Sequence, residues 1–259
     1  MITDAELAVT AAQSGAAVVR SLHGAALARI DKGGGDFATE ADLTSERAIL
    51  EVLRSARPDD AIVGEESGRS GESDRVWLVD PLCGTLNYAA GTTLAAVNVA
   101  LRGSASASAD PFTGEVFWTD GVRAWVRRDG VDEPLTPSAE SALVDVDVDP
   151  PHPNDPAFRT VRLLSDPGFA ALFRPRVVST SLALVWVAAG RRAAYVADND
   201  LRDNVHFASG IALCRAAGCI VTGLQGQPLH EGVGGLVAAA DRPTHEALVA
   251  LIAGQFAEP

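Results

Sequence analysis

The stretch Trp77-Leu-Val-Asp-Pro-Leu-Cys-Gly-Thr-Leu-Asn-Tyr88 is an apolar run that stops on an acid and is broken at once by a proline. With Arg75 and Val76 ahead of it, the pattern predicts a strand over 75–80 that ends at Asp80. A similar pattern occurs just upstream, where Ala61-Ile-Val-Gly64 is a short strand running into Glu65-Glu66. A third acidic segment, Asp36-Phe-Ala-Thr-Glu-Ala-Asp42, precedes a helix over 43–56 that carries Ile49, Leu50 and Leu53. Carboxylates gathered at strand ends repel one another unless a cation or a proton joins them. Hard oxygen ligands of this kind suit magnesium, usually shared with a substrate phosphate. Any one of the three segments alone is also compatible with an acidic cap on a loop or helix.

Outward from these segments, residues 3–30 place Leu7, Val9, Ala12, Val18, Leu22 and Leu27 at helical spacing. Lys32-Gly-Gly-Gly-Asp36 then reads as a flexible loop. Strands are expected over 95–102 and 115–125, with a Ser/Ala loop at 104–109 between them. The Pro- and Asp-rich stretch 145–156 lies near an expected subdomain boundary. We therefore divide the chain into 1–140, which carries most of the acidic motifs, and 141–259, which supplies His206. The second part is expected to hold the segment 160–164, a helix over 180–190, a strand at 193–197, a helix at 205–217 and a strand at 220–222. No internal repeat is visible.

A chain of 259 residues with 47% hydrophobic residues has room for two layered α/β subdomains. Its net charge of −13 argues against a nucleic-acid partner, which needs a basic face. Lys32 is the only lysine. No apolar run reaches the roughly 18 residues of a membrane span. The acidic start Met1-Ile-Thr-Asp-Ala-Glu6 reads as the opening of a helix rather than a secretory signal, so a cytoplasmic location is expected. The three cysteines are odd in number and have no CxxC spacing, which suggests neither a disulfide framework nor a zinc finger. Cys214 and Cys219 lie in an apolar stretch and read as small buried hydrophobes. His23, His152, His230 and His245 read as structural or surface residues. Cys83 interrupts an acidic motif and needs a separate account.

Val63-Gly-Glu-Glu-Ser67, the Trp77–Tyr88 stretch and Asp36–Asp42 together resemble the signatures of the inositol monophosphatase family. The likeness continues through Asp110-Pro-x-x-x-Glu115, Val187-Ala-x-Gly-Arg191 with Ala194-Tyr195, and Ala208-Ser-Gly210 to Ala217-Gly218. The resemblance implies a layered αβαβα sandwich of the α/β class, usually a homodimer, that hydrolyses small phosphate monoesters with magnesium. By position it implies that Glu65, Asp80 and the Leu82 carbonyl hold a metal. It implies that Asp42 and Thr85 position the attacking water, and that Lys32 and the glycine loop close over the site.

The sequence departs from the family pattern at two places. The family's second metal is held by the bridging acid, an Asp three residues later and an Asp at the start of a late helix; here those last two positions read Cys83 and His206. Decay would usually deposit Ala, Gly, Asn or Ser, so a thiol paired with an imidazole is more pointed. The leading expectation is a nucleophilic site rebuilt from the metal site, with no cofactor required, doing acyl-transfer chemistry on a small-molecule or carrier-bound thioester. Cys83 would attack, His206 would act as base, Asp80, Asp42 or Asp203 would orient the ring, and amides near Gly84 and Thr85 would bind the oxyanion and substrate. One alternative is a metal-dependent phosphatase of inositol or sugar phosphates with altered metal preference, magnesium or zinc. A second alternative is a non-catalytic relative.

Overall fold

The computed structural model describes residues 2–33 and 36–257, so the centre of the expected glycine loop, residues 34–35, lies outside the described residues. Helix α1 (Asp4–Leu22) begins where the Thr3 hydroxyl accepts the Glu6 N–H at 3.2 Å. It ends at Leu22, not at residue 30, because His23 turns extended and packs edge-on against Tyr88 and Phe112. The chain after it forms a two-stranded antiparallel ribbon, β1 (Arg29–Gly33) with β2 (Asp36–Thr39). Helix α2 (Glu40–Ala56) starts earlier than the apolar spacing suggested, because Thr39 and Asp42 close a capping box. Asp42 is thereby fixed in the first turn.

There follow β3 (Ala61–Gly64), β4 (Gly68–Ser70), β5 (Val76–Cys83), α3 (Thr85–Ala89), β6 (Ala96–Leu101), β7 (Ser106–Ala109), β8 (Val116–Thr119), β9 (Ala124–Arg128) and β10 (Val131–Pro134). They form an eight-stranded sheet in the order β10-β9-β8-β7-β6-β5-β3-β4. The Ser/Ala stretch expected to be a loop is the strand β7, and the expected strand 115–125 is split into β8 and β9. β7 has none of the branched residues that mark a strand in sequence, yet all four of its residues are buried between β6 and β8. Helices α1 and α2 cover a core that includes Leu7, Val19, Ile49, Leu53, Trp77, Val79 and Leu82.

One pairing positions the site. Most neighbouring strands run antiparallel, but β3 and β5 are parallel, with Gly64 opposite Val79. The Glu65 N–H continues the ladder to the Val79 carbonyl at 3.0 Å. Glu65, the residue after β3, therefore lies beside Asp80, while β5 runs on past the acid to Cys83 rather than ending at Asp80 as expected. On the other side, β6 places Asn98 opposite Asp80, and the β5–β6 register is irregular between Asp80 and Cys83.

The remaining elements are β11 (Leu143–Val146), α4 (Thr160–Leu163), α5 (Pro167–Leu172), β12 (Arg174–Val177), α6 (Leu182–Ala188), β13 (Ala194–Ala197), α7 (Val205–Ala217), β14 (Ile220–Thr222), β15 (Leu236–Ala239) and α8 (Arg242–Ala257). Five of them make a mixed sheet, β12-β11-β13-β15-β14, over a core containing Phe158, Leu163, Phe169, Val196, Leu248 and Ile252. Each sheet carries packed helices, the layered α/β class expected from the sequence. By internal contacts the chain forms two compact units. The first is Met1–Pro134 with Thr180–Leu182 and Val205–Leu213; the second is the remainder. This division differs from a single cut at residue 140, because the chain returns to the first unit twice. His206 belongs to the first unit, with Asp80, and not to the C-terminal half.

Candidate active site

The first unit brings its acids together at the end of β5. Asp80 is fully buried. Its Oδ1 accepts the Leu82 N–H at 3.1 Å, and its Oδ2 accepts from Asn98 Nδ2 at 3.3 Å. His206, in the first turn of α7, sets Nδ1 2.8 Å from Asp80 Oδ2 and 4.0 Å from Glu65 Oε2. Burial pushes the Asp80 carboxyl up, but the His206 ring outweighs it and holds the group below the ordinary range. Glu65 behaves in the opposite way. Its own burial and the charge of Asp80 push it up to about 8. Asp80 in turn, together with Cys83, raises His206 well above the usual imidazole range against the effect of burial.

Cys83 is at the end of β5, where its sulfur accepts the Ser181 N–H at 3.2 Å. Ligand atoms of Asp80, Cys83 and His206 all lie within 4.8 Å of one another. The pair is thus close, but its electrostatics are not those of an activated thiol. Burial of the thiol and the charge of Asp80 push the Cys83 pKa up by more than the His206 and Ser181 hydrogen bonds draw it down. The expected oxyanion cradle is also slight, since α3 is a helix of 5 residues entered through Gly84 at φ 97°. That left-handed conformation is the reason for a glycine between Cys83 and Thr85.

Thr85 and Asp42 meet as the resemblance implies. Thr85 Oγ1 lies 3.0 Å from Asp42 Oδ1 and 3.1 Å from the Leu82 carbonyl. Asp42 Oδ2 is occupied by the Thr39 N–H at 2.7 Å and the Thr39 hydroxyl at 2.5 Å. Lys32 reaches across from β1 to Glu65 at 3.0 Å and Glu66 at 2.6 Å. Several supporting residues escaped the sequence reading. Asn98 Nδ2 also donates to Ser181 Oγ at 2.7 Å, and Ser108 Oγ donates to Asn98 Oδ1 at 2.7 Å. Glu46 accepts the Glu66 and Ser67 N–H groups at 2.8 and 2.9 Å and so shapes the turn after β3. The available signal was an asparagine inside the apolar run Ala95–Leu101, where a buried amide needs partners.

The donor set at Glu65, Asp80 and the Leu82 carbonyl fits a hard cation. Glu65 Oε2 is a buried carboxylate oxygen with no hydrogen-bond partner, in a pocket that already holds a second carboxylate. The second position does not fit magnesium in the same way, since a thiol and an imidazole replace oxygen donors there.

Comparison with known proteins agrees with this geometry. Residues 3–255 match the inositol monophosphatase family. The chain is 32% identical over 240 residues to inositol-1-monophosphatase ImpA of Mycolicibacterium smegmatis, covering 86% of this chain and 82% of that protein. It is 32% identical over 232 residues to Nus factor SuhB of Pasteurella multocida, covering 82% and 81%. Among solved structures, extragenic suppressor protein SuhB from Bartonella henselae superposes with a TM-score of 0.82 at 25% identity, covering 98% of each chain. These findings overturn the expectation of covalent acyl transfer by a Cys83/His206 dyad. They overturn equally the expectation that no cofactor is required, because the family matched is the one whose resemblance implies magnesium. No described helix is long and apolar enough to cross a membrane.

Proposed function

The chain belongs to the inositol monophosphatase family, and from that premise we propose that it is a metal-dependent phosphatase of small phosphate monoesters such as inositol or sugar phosphates. The observation that carries this reading is the Glu65–Asp80 pair, two carboxylates that the strand register sets side by side at one sheet edge, with Glu65 Oε2 itself buried. Glu65, Asp80 and the Leu82 carbonyl would hold the cation, which when bound neutralises charge on the phosphate and on the leaving oxygen.

The remaining chemistry belongs to side chains of the chain. Asp42 has only Oδ1 open to Thr85, since Thr39 takes Oδ2. The single Thr85 hydroxyl proton goes to Asp42 or to the Leu82 carbonyl, which leaves the oxygen lone pairs to accept a proton from water. Thr85 and Asp42 therefore orient a water and draw off its proton as the water oxygen attacks phosphorus. The ester P–O bond breaks and the alcohol leaves with a proton from solvent. Lys32 supplies positive charge beside Glu65 and Glu66.

The reading is tested by phosphate release from inositol and sugar monophosphates with magnesium, manganese, cobalt or zinc. The expected result is release that chelator abolishes and that Asp80→Asn lowers by at least ~10³-fold, the equivalent of several kcal/mol of lost charge stabilisation. No release with any of these ions would leave the non-catalytic reading.

A further inference from the structure

The two halves of the pocket offer different chemistry to a cation. We propose that Asp80, Cys83 and His206 bind a thiophilic divalent transition ion of the zinc and cobalt class, beside the hard-oxygen position at Glu65, Asp80 and the Leu82 carbonyl. The inference deepens the phosphatase reading and rests on it for the role of the ion, which would sit where the leaving oxygen needs charge.

Three observations support the site. The first is proximity: among the described residues these three offer ligand atoms within 4.8 Å of one another, a span that one ion can join. The second is donor type. Magnesium takes oxygen ligands, whereas zinc takes thiolate, imidazole and carboxylate, and a catalytic zinc keeps three protein ligands with a fourth position open. The third is the supporting shell. Asn98 and the Leu82 N–H fix the Asp80 carboxylate, Ser108 fixes Asn98, and the Ser181 N–H points at the Cys83 sulfur. Such partners orient ligands and are a usual part of metal sites. The His206 side chain keeps 39% of its surface exposed while Asp80 keeps none.

Binding is balanced in protons. Cys83 loses its S–H proton to solvent as the sulfur–metal bond forms, and the His206 ring gives up the proton on the nitrogen that ligates. The hydrogen bond between His206 Nδ1 and Asp80 Oδ2 is exchanged for metal bonds. No electron is transferred.

The test uses the full chain, stripped of metal and titrated with cobalt(II). One equivalent is expected to produce a near-ultraviolet sulfur-to-cobalt charge-transfer band with intense visible bands of low coordination number. Zinc should erase the bands and excess magnesium should not. Cys83→Ser should abolish the charge-transfer band, and His206→Ala should weaken cobalt affinity by at least ~10-fold. Cys83→Asp, which restores an oxygen donor, should lose the band and gain magnesium affinity; circular dichroism checks that each variant is folded. No band in the folded wild-type chain overturns the site, as does a band that survives in folded Cys83→Ser. Phosphate release is followed on the same samples. Magnesium-dependent release without a band removes the soft-metal site and leaves the phosphatase reading. A Cys83-dependent band without release under any metal does the reverse.

Discussion

Asp80 on β5 and Asp145 on β11 are both fully buried strand acids, one in each unit, but their counter-charges differ. Asp145 is clasped by Arg192, whose Nε donates to both carboxylate oxygens at 2.8 Å, with the guanidinium 4.7 Å from the Trp186 ring centroid. Arginine is a permanent cation, so that pair is closed. The neighbours of Asp80 are a second carboxylate, a thiol and an imidazole. All of them can change protonation or be displaced by an ion. Burial is the same at the two acids; the difference is whether the chain supplies a fixed counter-charge. A buried acid with its own arginine holds a fold, whereas one among exchangeable partners is available for chemistry.

Removing each acid gives the strongest test of this contrast. Asp80→Asn is expected to lower turnover by at least ~10³-fold while urea denaturation moves by no more than about 1 kcal/mol, because it deletes a like charge beside Glu65 as well as a ligand. Asp145→Ala should do the opposite. Leaving Arg192 without its partner costs about 3 kcal/mol of stability, and the activity of each folded molecule should be unchanged. A large stability loss in Asp80→Asn, or none in Asp145→Ala, would break the comparison.

Asn98 sharpens it at a smaller scale. Asn98→Leu removes the amide that donates to Asp80 and Ser181. Metal affinity measured by calorimetry is expected to fall ~10–100-fold, with Thr85 and Asp42 untouched. An unchanged affinity would mean that the Leu82 N–H and His206 hold Asp80 without the amide. A related case is Gly64, where an added Cβ would lie 2.6 Å from Glu46 Oε1. Gly64→Ala would displace the carboxylate that anchors the Glu65–Glu66 turn, and a loss of metal affinity of ~10-fold is expected by the same titration.

These residues also mark what the sequence made legible. The strands ending at Gly64 and beyond Asp80, and the helix over 205–217, carry local apolar patterns, and their bounds were close to those observed. The parallel pairing of β3 with β5, which brings the two acids to one edge, is a long-range fact; the acids at strand ends suggested a shared cation, and the family resemblance implied which of them share it. β7 was hidden because its serines and alanines have no strand signature and are held in place by neighbours. At Cys83 the residue types suggested a nucleophile, but reactivity depends on the field around the sulfur. Asp80 lies three residues from Cys83 in the sequence, but that both are buried, which lets the carboxylate raise the thiol pKa, and that His206 joins them are facts of the fold alone.

Lys32 provides the smallest effect and the subtlest distinction. It is a permanent cation at pH 7, like Arg192, but it sits on the β1 ribbon and bridges Glu65 and Glu66 with its ammonium partly exposed. If it served as Arg192 does, its loss would cost several kcal/mol. Partly exposed lysine pairs are worth about 1 kcal/mol or less, so Lys32→Gln should barely move the denaturation midpoint. Its effect should appear in binding. With the ammonium gone, Glu65 no longer divides its charge between Lys32 and a cation, and magnesium should bind ~2–5-fold more tightly, about 1 kcal/mol or less in free energy. Phosphate monoesters should bind more weakly, because a positive charge beside Glu65 has been removed. Opposite shifts in the two affinities would identify Lys32 as a displaceable cation of the open site. A large loss of stability with both affinities unchanged would instead class it with Arg192.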